Sequence, residues 1–376
     1  MLLLAFLLGA WILNTNALSA PTRISKKTLL AELQKSYTPE SIIDNVGKHV
    51  TVDIDPEGSV ASLVLVRLSK QLITLDNNGD LYKDSFGIGT LGKIVESFAS
   101  SNWNSSAQAR DSATEGTKAS AVLSKLLALQ SSDVWEPLVK KWQDIDAGDF
   151  EAHQISGIAW SFDVLLDDYN LPIQFQEAHD ALELPFRIRR NLCGDIDGLE
   201  PSNLVDQVNF QTEEIRTKSN KIVRERRQTA WEGDDHVAPF AYSGKSMDRD
   251  DWSPLVKDVR DYLNKETGQY YDGCLLNLYP DGGSGMRYHI DPDQGTLWDF
   301  ETAVVSVGCT RRFAFREMPS SDCSSNTKPH VFVLFQGDVT EMFADCQTRF
   351  QHTVKTAESK DENSPRASLV FKRTLK

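Results

Sequence analysis

The sequence predicts an α+β protein, with a mostly α-helical N-terminal region followed by a C-terminal sandwich or barrel of short strands. From about residue 26 to 168 apolar residues recur at spacings of three and four, as in Val60, Leu63, Val64 and Leu68, the period of a helix with one buried face. In the second half the pattern changes to short runs rich in Val, Phe and Leu: CLLNLY (274–279), TAVVSV (302–307), RRFAFR (311–316), HVFVLF (330–335) and RASLVF (366–371). Turn residues such as Pro280-Asp281-Gly282-Gly283 bound them, and many short strands at such spacing make a sandwich or barrel, the jelly roll among the candidates. A chain of 376 residues also exceeds one small core and predicts two domains or three.

Taken in order, residues 1–20 (MLLLAFLLGAWILNTNALSA) open with an apolar run ending at Leu13, shorter than the roughly 18 to 20 residues that span a bilayer. With small residues at Ala17, Ser19 and Ala20 this reads as a targeting segment. The next ten residues, PTRISKKTLL, are basic, hydroxylated and free of acids, the composition of an organelle transit segment. Together they predict delivery to a plastid-like organelle or into the secretory pathway, with no stable membrane span after targeting. Residues 21–168 form the helical region. Within it SVASLVLVRLSKQL, TKASAVLSKLLALQ and HQISGIAWSFDVLL, starting near 59, 117 and 153, look loosely alike but share no fixed period, so they predict degenerate helical repeats or a one-off bundle. Residues 100–118 are polar and read as a loop or linker. Residues 251–266 read as a helix with Leu255, Val259 and Leu263 on one face.

Composition narrows the function. With 40% hydrophobic and 25% charged residues the chain is neither disordered nor fibrous. Its net charge of −14 argues against a surface that clings everywhere to phosphates, so any nucleic-acid contact must be local. Residues 1–170 carry 14 basic and 21 acidic residues, which disfavours an RNA-binding solenoid there. Five cysteines without a CxxC indicate neither a disulfide framework nor a zinc site.

The strongest local signal is NLYPDGGSGMRYHIDPD, residues 277–293. In an extended segment His289 and Asp291 leave the same face and can converge on one ion. A second histidine with strand flanks, His352, follows 63 residues later, and two imidazoles with one carboxylate are the facial triad of non-heme ferrous oxygenases. An HxD pair alone is equally a solvated turn. Arg366 and Lys372, six apart, share one face of a strand, and no acid lies between 366 and 376 to pair with them. Arginine suits bidentate contact with a carboxylate. Asn277 and Tyr279 alternate onto one face of an earlier strand, beside that pocket or in ordinary sheet hydrogen bonding.

The succession N-x-Y-x-D-G, H-x-D-x-D, S-V-G-x-x-R-x-F, G-D before H-T-V, and R-x5-K resembles the AlkB-type iron- and 2-oxoglutarate-dependent dioxygenases, across roughly 170–376 and most densely from Asn277 to Phe371. RERRQTAWEGD (224–234) and FAYSGK (240–245) are similar to that family's nucleotide-recognition lid. The resemblance implies a dioxygenase domain over 169–376, with a double-stranded β-helix (jelly-roll) core at about 270–376 and a lid at about 205–250. It implies Fe(II) held by His289, Asp291 and His352, with 2-oxoglutarate and O2 as cosubstrates. Arg366 would take the far carboxylate of 2-oxoglutarate, assisted by Tyr279, Asn277 and Lys372. Lys372 stands where the family usually has Arg, which leaves its contact open between cosubstrate and iron ligand. It further implies oxidative demethylation of alkylated DNA or RNA bases, single-stranded or flipped, with release of formaldehyde, succinate and CO2.

For substrate, Trp231 and Tyr242 offer stacking faces or lid-core aromatics, and Asp293 faces the base or makes a turn. Arg224, Arg226 and Arg227, with Arg216, Lys218 and Lys221, form a phosphate track or a solvated face. Two other readings stay open. One is a 2-oxoglutarate-dependent hydroxylase of a protein or small molecule, since fold similarity does not fix a substrate. The other is a non-catalytic, RNA- or partner-binding helical-repeat protein.

Overall fold

A computed structural model describes residues 24–51, 53–77, 88–129, 133–165, 169–216, 222–242, 244–319, 327–357 and 364–375. Residues 1–20, expected to be a targeting segment, lie outside them. Eight helices lead the described chain, at Lys26–Lys35, Pro39–Asn45, Ser59–Asn77, Ile88–Ala99, Ala107–Leu126, Glu136–Gln143, Ala152–Leu165 and Ile173–Asp180. The three look-alike segments fall on the Ser59–Asn77, Ala107–Leu126 and Ala152–Leu165 helices, which pack in series. None of these helices is long and apolar enough to cross a membrane.

The loop expected at 100–118 is instead a short 3-10 turn, Trp103–Ser105, and the first half of the Ala107–Leu126 helix. Ser106 caps that helix by accepting the Ala109 N–H at 3.1 Å. Its polar appearance comes from small residues rather than from solvation: Ala109, Ala113, Gly116 and Thr117 are all buried. A Cβ on Gly116 would collide with the Phe98 ring, so glycine is what permits the close approach.

Twelve strands are described: β1 Phe186–Arg189, β2 Gln211–Arg216, β3 Ile222–Gly233, β4 Phe240–Tyr242, β5 Lys245–Met247, β6 Gly273–Tyr279, β7 Thr302–Gly308, β8 Arg311–Glu317, β9 His330–Leu334, β10 Val339–Met342, β11 Phe350–Val354 and β12 Arg366–Lys372. Seven pair in the order β1-β10-β7-β12-β6-β3-β2, three in the order β11-β8-β9, and β4 with β5 forms a separate hairpin. All named pairings are antiparallel. This is the α+β, jelly-roll class that the alternation of the second half predicts.

The centre of the large sheet is buried on both faces. Val304, Val370, Leu275 and Tyr279 share a core with Phe313, Phe315, Phe332 and Phe350 of the small sheet. Leu276, Leu278, Val305, Leu369 and Phe371 point the other way, onto Leu255, Val259 and Leu263 of the Pro254–Thr267 helix. Every residue of β6 and β12 is therefore buried, which is why these strands read as continuous apolar runs.

The helical region is not a separate bead. Its core is continuous with the barrel interior. Ser156 Oγ lies 2.7 Å from His330 Nδ1, and Asn77 closes both backbone groups of Thr310, accepting its N–H at 2.8 Å and donating to its carbonyl at 3.2 Å. The Ala152–Leu165 helix packs on β9, the edge of the small sheet. Burial pushes His330 down to about 4, which keeps this internal imidazole neutral.

Candidate active site

His352 sits on β11, and the segment carrying His289 pairs with that strand: the His289 N–H donates to the His352 carbonyl at 3.1 Å and the reverse bond is 2.9 Å. The two bonds bring the histidines side by side, with ring centroids 4.2 Å apart. Asp291, two residues after His289, points its Oδ1 at both, 3.7 Å from His289 Nε2 and 3.5 Å from His352 Nε2. One ligand atom from each of the three residues lies within 4.8 Å of the others, and this is the group of that kind found among the described residues.

The protons are arranged for a cation. His289 Nδ1 lies 2.9 Å from the Arg287 carbonyl, so it must donate, which leaves the Nε2 lone pair toward Asp291. Burial, and then His352, push His289 down to about 4, so it is neutral near pH 7. Burial pushes the Asp291 carboxyl up, but the Lys372 ammonium and the His352 imidazole outweigh it and hold it well below the usual range. Phe313 stacks on His352 at 5.7 Å and 9°, and Gln347 Oε1 accepts the Asp291 N–H at 2.9 Å. The Nδ1 of His352 is buried without a partner among the described residues. Two imidazoles, of which His289 is held neutral, and an ionised carboxylate are the donor set suited to Fe(II).

Lys372 Nζ lies 2.7 Å from Asp291 Oδ2. Of the two contacts left open by the sequence, the structure displays the one with Asp291. Arg366 is wholly buried on the same face of β12; it donates to Ser306 Oγ at 2.8 Å and to Ser368 Oγ at 3.3 Å, while its Nε has no partner among the described residues. Burial pushes its guanidinium down to about 10, so it stays charged at neutral pH. Across the ladder Arg366 faces Tyr279, and Ser368 faces Asn277. An internal cation with an unused donor beside buried hydroxyls fits an anionic guest such as 2-oxoglutarate.

The lid residues divide. Trp231 is 1% exposed, donates to the Ala238 carbonyl at 3.0 Å, and packs against Phe240 and Trp298. It is a core aromatic, and its burial corrects the expectation of an open stacking face. Gly273 makes room for it, since a Cβ there would lie 2.6 Å from the indole. Tyr242 is partly buried; its hydroxyl donates to Glu225 Oε2 at 3.0 Å, and Arg227 and Lys245 lie 5.3 and 5.4 Å from its ring. Asp293 has φ 57, and its carbonyl accepts from Leu297 and Trp298 at 3.0 Å, so its backbone makes a turn.

The basic run is not one surface. Arg224 and Arg226 are exposed, whereas Arg227 turns inward, 9% exposed, and donates to Asn277 Oδ1 at 2.8 Å. This corrects its place in a phosphate track: a strand alternates its faces, so neighbouring arginines cannot all reach one strand of phosphates. Lys218, Lys221 and the Arg216 side chain lie outside what is described. Glu225 and Met286, given no functional role in the sequence reading, contact Arg227, and Lys245 pairs with Glu225. The period of two along β3 was the available signal for Glu225.

The profile of the 2OG-Fe(II) oxygenase superfamily matches residues 200–372. The chain is 32% identical over 157 residues to uncharacterized protein R406 of Acanthamoeba polyphaga mimivirus, covering 42% of this chain and 77% of that protein. It is 28% identical over 138 residues to the human DNA oxidative demethylase ALKBH2, covering 36% and 52%. It is 23% identical over 192 residues to the human alpha-ketoglutarate-dependent dioxygenase alkB homolog 3, covering 49% and 60%. The aligned part thus spans about half the length of ALKBH2. With the triad, the jelly roll and these similarities in place, the chain belongs to the AlkB-like iron(II)- and 2-oxoglutarate-dependent oxygenases, enzymes that use Fe(II), 2-oxoglutarate and O2.

Proposed function

We propose that this oxygenase removes methyl groups from alkylated nucleic-acid bases. The observation that carries the reading is the convergence of His289, Asp291 and His352, with the buried, partly unpaired Arg366 on the strand whose Lys372 pairs with Asp291, in a chain similar to a protein named as a DNA oxidative demethylase. Iron(II) with 2-oxoglutarate and O2 supplies the oxidising chemistry: one oxygen atom leaves in succinate, CO2 is lost, and the other hydroxylates an N-methyl group, which departs as formaldehyde.

The chain's own residues bind and orient. His289 would hold the iron through its neutral Nε2, His352 through its imidazole and Asp291 through Oδ1, while Oδ2 stays with Lys372. Arg366 supplies a charge-assisted contact for the far carboxylate, with Tyr279 and Asn277 on the facing strand. Phe313 and Phe315 pack against His352 on the small-sheet side. Tyr242 and Asp293 are assigned to the substrate in this reading, and the exposed Arg224 and Arg226 would offer phosphate contacts on the outer face of β3.

The test is incubation of the Fe(II)-loaded protein with 2-oxoglutarate and O2 on single-stranded oligonucleotides bearing methylated bases. Formaldehyde and succinate in equal amounts, with loss of the methyl group by mass, are expected. Succinate formed only with peptides or small molecules would move the protein to the hydroxylase class.

A further inference from the structure

Arg227 departs furthest from what its sequence neighbourhood suggests. Along β3 the exposed Arg224 and Arg226 alternate with Glu225, Arg227, Thr229 and Trp231, which turn inward. Thr229 faces Asn277 in the ladder, so Arg227, two residues away on the same face, is a diagonal neighbour of Asn277. Its Nη1 reaches Asn277 Oδ1 at 2.8 Å, and its Nη2 reaches Glu225 Oε1 at 3.2 Å.

An amide has one acceptor oxygen and two N–H donors, whereas a guanidinium has donors only. Arg227 can therefore meet Asn277 only through Oδ1, and a flipped amide would set donor against donor. The contact turns the Asn277 Nδ2 donors to the side away from the guanidinium. We propose that Arg227 is a positioning residue of the cosubstrate chamber, locking the Asn277 amide so that Nδ2 donates to 2-oxoglutarate. This rests on the assignment of Asn277 and Arg366 to that chamber. Glu225 holds the second arm of Arg227 and accepts the Tyr242 hydroxyl, so the β4–β5 hairpin is tied to the same group.

Calorimetric titration of 2-oxoglutarate into the Mn(II)-loaded full chain tests the assignment, with binding of a single-stranded oligonucleotide measured in parallel. Arg227→Met should weaken 2-oxoglutarate about tenfold or more, and Arg227→Lys, which restores a charged donor, should recover most of the loss. Asn277→Asp keeps Arg227 paired yet removes the Nδ2 donors, and should weaken binding by a similar factor. Oligonucleotide affinity should stay within about twofold in all three. If Arg366→Ala weakens 2-oxoglutarate while Arg227→Met and Asn277→Asp do not, the positioning role is overturned and the chamber stands. If none of them weakens it, the chamber assignment falls too. Lost oligonucleotide affinity at unchanged 2-oxoglutarate affinity also overturns the inference and makes Arg227 a phosphate contact.

Discussion

Lys372 and Asp291 form an internal ion pair, Nζ to Oδ2 at 2.7 Å, with side-chain exposures of 0% and 9%. The carboxylate that faces the two histidines is thus already matched by a positive charge. Removing one partner of a buried pair leaves the other uncompensated, at a cost of about 3–5 kcal/mol. Lys372→Met should destabilise the metal-free protein by that order, and Mn(II) should restore more stability to the variant than to the parent, because the metal replaces the missing charge. Thermal unfolding with and without Mn(II) reads this; equal midpoints for the metal-free forms would contradict it.

His289→Ala should abolish stoichiometric iron binding and succinate formation while the fold persists, and Asp291→Ala should do the same but also lose stability on the order of the Lys372→Met variant, because it leaves Lys372 buried without its partner. The triad lies on walls whose packing comes from Phe313, Phe315 and Phe350, so the loss falls on the metal. Iron content by elemental analysis and a circular dichroism spectrum separate the two effects. Full iron occupancy in both variants would sink the assignment.

Arg366→Ala should raise the KM for 2-oxoglutarate far more than that for the oligonucleotide. The expected loss is about 2–5 kcal/mol, the range for truncating one partner of a buried charge pair. An unchanged KM would place the anion elsewhere.

Glu232 gives stability a pH dependence away from the metal. It is 2% exposed and accepts from both N and Oγ of Ser253, at 3.0 and 3.1 Å. Burial pushes its carboxyl from 4.5 to about 7. The folded state holds this proton more tightly than the unfolded chain does. Its contribution is therefore complete below about pH 4.5 and is lost as pH rises through about 7, to an extent of about 3 kcal/mol. Urea unfolding between about pH 5 and 8 should show this slope, and Glu232→Gln should flatten it. An identical slope in the variant would remove Glu232 as its source.

Replacing Arg224 and Arg226 by Gln should weaken oligonucleotide binding and reduce its log–log salt slope by about 1.4, at about 0.7 per single-strand phosphate contact. Affinity measured across a salt series checks this. A parent-like slope would make these arginines a solvated face.

The sequence by itself determined what depends on neighbours along the chain. Strand alternation placed His289 with Asp291, Asn277 with Tyr279, and Arg366 with Lys372 on shared faces, and helical spacing marked the N-terminal region, because a side chain's direction follows from the local backbone. Order along β3 could equally have separated Arg227 from Arg224 and Arg226, had that charged stretch read as a strand. Small residues hid the start of the Ala107–Leu126 helix, since composition does not distinguish a close helix contact from a solvated loop. Only the tertiary structure decided which groups meet across long separations: Lys372 with Asp291, Arg227 with Asn277, Ser156 with His330 and Asn77 with Thr310. Such partners are selected by sheet order and by the need of each buried polar group for a complement, and neither is written in the spacing of residues.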